Sequence, residues 1–269
     1  MRTEFFDTAE VALNDGAQSW GNLGLWDTAS TYSDACRALA LALGTEAGLD
    51  ERCHVFDAGF GCGDQLLLWL EQFKVASVQG VNLSNTQTDR ARESLKRRGY
   101  GKHSNALHQG NINDPARWPE QGQVNRVLCL DSAYHFPRRT DFLTRAARCL
   151  PAGGVLCLTD FVLSESYRGG VGELLLRAML ACSRIPRENL VTLPRYREQL
   201  ADAGFEQVQT MDISEPVMLG FSHWWSRYRR NASHLPKRSR LKYAVTARFL
   251  RWAHRRQILQ YILIAARRG

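Results

Sequence analysis

The last 49 residues, 221 to 269, contain no aspartate or glutamate against 13 lysines and arginines. The 220 residues before them carry 22 basic and 27 acidic side chains, so the net charge of +8 is gathered at one end of a slightly acidic body. Such a basic end suits an acidic partner or an anionic membrane surface, and it equally suits a solvated helical face. No Cys-x-x-Cys pair occurs among the seven cysteines (36, 53, 62, 129, 149, 157 and 182), and several of them fall inside apolar, strand-like runs. This argues against a disulfide frame or a zinc site and predicts buried, reduced thiols and no metal. Apolar runs stay well short of the roughly 20 residues of a membrane span. The stretch Met1 to Asp7 lacks the basic-then-apolar pattern of a leader. A soluble, cytoplasmic protein is expected, membrane-peripheral at most. Repeats and low-complexity segments are missing too, and 269 residues suffice for one large α/β domain with additions.

What is present centres on Val55-Phe56-Asp57-Ala58-Gly59-Phe60-Gly61-Cys62-Gly63-Asp64. A short apolar run carries an acid, glycines follow at alternate positions, and Gln65 to Leu70 reads as a helix. Strand, glycine turn and helix begin a nucleotide-binding α/β unit. A dinucleotide fingerprint, Gly-x-Gly-x-x-Gly or Ala, would place its last small residue at position 64. Asp64 stands there instead, where it suits a helix cap and would repel a pyrophosphate. Cys62, inside the turn, reads as a small space-filling residue.

The motif Asp-x-Gly-x-Gly-x-Gly resembles the first motif of class I S-adenosylmethionine-dependent methyltransferases. Later segments strengthen the resemblance. Gly80-Val81-Asn82-Leu83-Ser84, with Gln87 beyond it, is similar to a variant found in sterol, fatty-acid-cyclopropane and plant-alkaloid methyltransferases. The run from His135-Phe136 through Phe142-Leu143, Ala146 and Leu150 to Gly153-Gly154 resembles the same family at the expected distance. The specific motifs occupy 57 to 64, 80 to 87 and 131 to 160. The resemblance implies a seven-stranded, mostly parallel, doubly wound α/β sheet with an antiparallel last strand and helices on both faces. Strands are expected at 77–82, 106–109, 124–130, 155–160, 205–213 and 257–266 after the first, with Arg126 an awkward charge in the fourth. Residues 1–50 form an N-terminal helical segment, and 51–269 the cofactor-binding domain. Insertions at 164–190 and 221–256 stand where relatives build a substrate lid.

The resemblance also implies a cofactor, S-adenosylmethionine, and a small-molecule acceptor. Asp57, Gly59, Gly61, Gly63, Leu83, Gln87 and Asp131 fall at positions that contact the cofactor in the family. Asn82 stands where an acid usually holds both ribose hydroxyls; it either bonds them through its amide oxygen or is a turn residue. Asn111 and Ile112 either meet the adenine or belong to an Asx turn. Trp26 and Tyr32 either wall the site or anchor the N-terminal helix, and Trp224 and Tyr228 are candidates for acceptor contact. His135 is the candidate general base, because an imidazole titrates near neutrality, with Tyr134 as an alternative; His135 equally serves to shape the pocket. A lipid-methylating enzyme at a membrane surface is the second reading, motivated by the basic end and Trp224-Trp225. Nucleic-acid binding is the third, using Tyr228 and Trp252 as stacking groups. The Asn-Pro-Pro-Tyr or Asp-Pro-Pro-Tyr usual in enzymes that methylate base amino groups is missing, which disfavours it.

Overall fold

A computed structural model describes residues 13, 14, 16, 18–170 and 172–269. The expectations for the first 12 residues and for the start of a helix at Val171 lie outside them. Helix α1 (Tyr32–Glu46) is capped by Thr31, whose hydroxyl accepts the Asp34 N–H. It buries Ala35, Leu39 and Leu43, spaced to share one face. Strand β1 (His54–Ala58) runs into the glycine turn and α2 (Asp64–Glu71). Strand β2 (Ser77–Asn82) follows, then α3 (Asn85–Arg97), whose cap is Ser84, then the single turn α4 (Gly101–Ser104) and β3 (Leu107–Gln109). The second half contains β4 (Arg126–Cys129), α5 (Arg139–Cys149), β5 (Val155–Leu163), α6 (Glu173–Cys182), α7 (Leu193–Ala203) and β6 (Phe205–Asp212). It ends with α8 (Gly220–Tyr228), α9 (Lys237–Arg255) and β7 (Leu259–Arg268).

The strand order is β3-β2-β1-β4-β5-β7-β6. Strands β1 to β5 pair in parallel, and β7 inserts between β5 and β6, antiparallel to both. Side chains alternate across the sheet, as the two-residue period requires. Val55 packs with Leu39, Leu43 and Trp69 on one face, and Phe56 with Phe142 and Ala146 on the other. Helices therefore cover both faces. Leaving β1, the chain builds β2 and β3 to one side and returns to β4 on the other. That reversal opens a crevice beyond the carboxyl ends of β1 and β4, where open α/β sheets bind ligands.

Arg126 is accommodated at the foot of β4. Its guanidinium donates to the carbonyls of Ala47 (2.7 Å), Asn125 (2.9 Å) and Gly48 (3.3 Å). The charge thus satisfies the carbonyl end of α1, where cations are favoured. The thiols expected to be buried are so at Cys36, Cys53, Cys129, Cys149 and Cys157, whereas Cys62 is half-buried and Cys182 exposed. Among the described residues no group of metal-ligating side chains occurs, and no helix is long and apolar enough to cross a membrane.

Candidate cofactor and acceptor site

The crevice opens into a cavity of about 1130 Å³. One end is walled by the glycine turn, the ends of β2 and β4, and the segment Ser19–Leu23. The other is walled by both insertions, through residues such as Met179, Ile185, Val245 and Phe249.

All three turn glycines have positive φ: 87° at Gly59, 56° at Gly61 and 91° at Gly63. Their constraints differ. A Cβ at Gly59 would lie 2.7 Å from Ser132 Oγ, and one at Gly63 the same distance from Ala91 Cβ, so these two allow close packing. A Cβ at Gly61 would meet nothing within 4 Å. Its bare backbone faces the cavity.

Asp57 does not line the cavity, contrary to the sequence reading. It is fully buried and accepts hydrogen bonds from Gln65 Nε2 (2.9 and 3.0 Å) and Trp69 Nε1 (2.8 Å), tying α2 to β1. Burial raises its pKa to about 6. Asp64 is no helix cap either. That position is Gly63, and the Asp64 carboxylate accepts the Ser19 N–H at 3.0 Å. Burial raises Asp64 to about 6 as well.

Asn82 lies on the cavity wall and serves the turn. Its Oδ1 accepts the Gly61 N–H (3.3 Å), while Nδ2 donates to Gln87 Oε1 (3.0 Å) and Ser84 O (3.3 Å). Leu83 and Gln87 line the cavity beside it, with Leu83 58% exposed. Asn111 and Ile112 also line it, and the Asx-turn alternative is realised. Asn111 Oδ1 accepts the Asn113 N–H at 2.9 Å, and Ile112 O accepts Trp118 Nε1 at 2.7 Å.

At the end of β4, Asp131 has φ 53° and lines the cavity. It accepts from Leu23 N (2.8 Å), Tyr134 Oη (2.8 Å) and Tyr261 Oη (2.5 Å). Tyr134 is correspondingly a committed donor. Burial and the neighbouring Asp131 push its phenol well above 10, which removes it as a base. His135 lines the cavity, half-buried. Its Nδ1 contacts the carbonyl of Arg184, in the first insertion, at 3.4 Å. A carbonyl only accepts, so this contact places the ring proton on Nδ1 and makes Nε2 the acceptor. Burial lowers its pKa to about 4. The expectation of an imidazole titrating near neutrality is therefore corrected: desolvation keeps it neutral.

Tyr32 lines the cavity and donates from its hydroxyl to Asn22 O at 2.8 Å. Trp26, Trp224 and Tyr228 do not line it. Trp224 stacks between Trp26 (4.8 Å between ring centroids) and Tyr228 (4.6 Å), and Tyr32 joins it at 5.6 Å. This stack ties the N-terminal segment to α8, because rings at this spacing gain more from one another than from a solvated wall. Trp224 and Trp225 are 4% and 3% exposed, so the pair that motivated a membrane-surface reading is interior. Trp252 packs against Phe249, and Tyr228 against Trp224, which occupies the rings proposed for stacking on bases.

Several residues at the cavity wall or buried behind it carried no readable signal. Tyr261 reaches Asp131 from 130 positions away, and Thr159 Oγ1 accepts the Asp131 N–H (2.8 Å) while its own hydroxyl donates to the Tyr261 oxygen (2.9 Å), whose single proton goes to Asp131. Asn22 lies in the glycine-rich stretch near the N-terminus and holds its own loop through Cys36 O (3.2 Å) and Gly24 N (2.9 Å). Only its proximity to a glycine-aromatic run hinted at a site.

Comparison with known proteins agrees with this geometry. A family described as "Methyltransferase domain" matches residues 56–158. Erythromycin 3''-O-methyltransferase of Saccharopolyspora erythraea is 32% identical over 252 residues, covering 92% of this chain and 81% of the relative. A putative sarcosine dimethylglycine methyltransferase from Galdieria sulphuraria superposes with a TM-score of 0.76 at 16% identity, over 91% of this chain and 92% of that one. Geranyl diphosphate methyltransferase in complex with SAM gives 0.70 at 21% identity, over 88% of each chain. The residues present suit S-adenosylmethionine: an open backbone at Gly61, an apolar wall at Ile112, and two carboxylates, Asp64 and Asp131, for a ligand bearing positive charge. With a relative this similar over most of both chains, and this turn at the switch point of this sheet, the chain belongs to the class I S-adenosylmethionine-dependent methyltransferases, the small-molecule enzymes among them, and S-adenosylmethionine is its methyl donor.

Proposed function

We propose that the protein methylates a hydroxyl oxygen on a bulky, largely apolar small molecule, with His135 receiving the hydroxyl hydrogen. The observation that carries this reading is the single cavity of about 1130 Å³, which runs from the glycine turn past His135 into an apolar chamber between the insertions. A pocket for one drug-sized ligand spans roughly 300–1,000 Å³. This one has room for the donor and an acceptor together. The relative from Saccharopolyspora is named for transfer to oxygen, which points the same way.

When bound, S-adenosylmethionine supplies an electrophilic methyl on a positively charged sulfur. The protein's part is to position the acceptor and exclude water. The backbone at Gly59 and Gly61, with Asn82, Leu83, Gln87, Asn111 and Ile112, forms the donor's bed, and Asp131 holds Leu23 over it. His135 Nε2 accepts the acceptor's O–H and orients an oxygen lone pair. An imidazole with a pKa of about 4 is a weak base. It suffices because the hydroxyl becomes strongly acidic only as its oxygen gains the methyl. The proton then passes through the imidazole to water at the cavity mouth.

The test is release of S-adenosylhomocysteine from S-adenosylmethionine across matched lipophilic alcohols and amines. Turnover confined to hydroxyl-bearing compounds is expected. Turnover of the amines alone overturns the reading.

A further inference from the structure

The cavity is divided by charge. Among the described residues on its wall the acids are Asp64 and Asp131, both at the donor end. The cations are Arg184, Arg238 and Lys242, all on the two insertions. The first insertion does contain acids, but Glu173 is held by Arg177 (2.7 Å) and Arg187 (3.2 Å) and does not face the cavity. Helix α9 contains no acid along its length. Among its cavity-lining residues, Arg238, Lys242, Val245 and Phe249 recur at intervals of three and four, with Leu241 beside them on the same broad helical face. That face is graded. Its first turns present two cations, and the later ones present apolar groups. Leu241 is 66% exposed and Val245 41%, unusual for large aliphatic side chains beside a deep cavity.

We infer that the acceptor is an amphiphilic anion, with its apolar body along Leu241, Val245 and Phe249 and a carboxylate or comparable anionic group held by Arg238 and Lys242, with Arg184 on the other insertion. This deepens the proposed function and rests on its assignment of the chamber between the insertions to the acceptor. Two features support it. A chamber lined by cations and no acids concentrates anions and repels cations. The same chamber offers exposed aliphatic surface beside those cations, which a purely polar anion would leave in water. Both halves of the reaction then match their walls: a positively charged donor against carboxylates, and a negatively charged acceptor against guanidinium and ammonium groups.

The experiment uses the full chain saturated with S-adenosylhomocysteine and two fluorescent probes on one ring system. These are anionic 8-anilino-1-naphthalenesulfonate and neutral N-phenyl-1-naphthylamine. Both are expected to bind, the sulfonate about tenfold more tightly at low salt, with the difference shrinking as ionic strength rises. In the double variant Arg238→Gln, Lys242→Gln the sulfonate's advantage should vanish while the neutral probe binds as before. Calorimetry with S-adenosylhomocysteine, expected unchanged, shows that the variant is folded. Equal affinity of the two probes for the native protein, or an advantage that survives in the double variant, overturns the anionic assignment and leaves the apolar chamber standing. Failure of both probes to bind overturns the acceptor chamber itself, and the inference with it.

Discussion

Asp131, at the end of β4, and Tyr261, on β7, are joined by a 2.5 Å hydrogen bond across 130 positions of sequence. The bond explains how a non-glycine residue holds φ 53° on the cavity wall. Such a conformation persists only where its surroundings over-determine it. Here the Tyr261 and Tyr134 hydroxyls and the Leu23 N–H converge on one carboxylate, and Thr159 receives the Asp131 N–H. Tyr261→Phe removes one of these donors and leaves a buried acceptor partly unmet. It should cost about 1 to 3 kcal/mol of stability, read by urea denaturation, and weaken S-adenosylmethionine binding as the Leu23 segment loosens. A variant with native stability and affinity would mean that Tyr261 is only a core aromatic.

The turn glycines predict different failures. Gly61→Val places a side chain on the cavity wall where a Cβ has open space. It should abolish the thermal stabilisation that S-adenosylmethionine gives through linkage, in a protein that stays folded but is itself less stable because a β-branched residue is strained at φ 56°. Gly63→Ala drives a Cβ to 2.7 Å from Ala91 Cβ and should lower stability directly. Donor binding retained in Gly61→Val would contradict the bed assigned to it.

The sheet was legible because its strands alternate or run apolar between turn residues. Strand β2 spans Ser77–Asn82 as read, and Gly204 ends α7 in the left-handed conformation expected of a breaker. Strand β5 exceeds its expected end at Asp160 by three residues, because β7 pairs with it out to Leu163. That partner arrives from 100 residues downstream and leaves no mark on the local pattern. The same holds in the site. Position placed the turn glycines, Asn82 and His135 on the cavity wall, but no local rule told a wall aromatic from a core one. Trp26 and Trp224 went to the core because they found each other. Asp57 sits where a motif acid belongs, yet its partners, Gln65 and Trp69, lie eight and twelve positions on, one turn apart on α2.

Asp57 gives a pH prediction. Folded, it keeps its proton up to about pH 6 because of burial, whereas an unfolded aspartate loses it near pH 4. The unfolded chain therefore binds fewer protons between those values, and stability falls as pH rises through the window. The contribution is about 2 to 3 kcal/mol. Asp64, raised for the same reason, adds with the same sign. Asp57→Asn should lose measurably less stability between pH 4 and pH 6.5 than the native chain in denaturant titrations. An unchanged slope would contradict the assignment.

His135 gives a second. Its imidazole is neutral above about pH 5, since burial has lowered its pKa to about 4. The rate should therefore show no histidine inflection between pH 6 and 8. His135→Ala should lower kcat on the order of 10²-fold, the scale of general-base loss, with donor affinity little changed. His135→Gln should recover part of the rate by accepting the same hydrogen bond. A variant with native kcat ends the role assigned to His135.

The most direct measurement follows a labelled methyl. The protein is given S-adenosylmethionine carrying carbon-13 in its transferable methyl and an acceptor whose apolar body bears a carboxylate, a hydroxyl and an aromatic amine that is uncharged at neutral pH. Carbon NMR of the product then shows which atom holds the label. The account predicts a methyl ether, with one equivalent of S-adenosylhomocysteine released for each ether formed. Label on nitrogen or carbon, with the hydroxyl untouched, would contradict it.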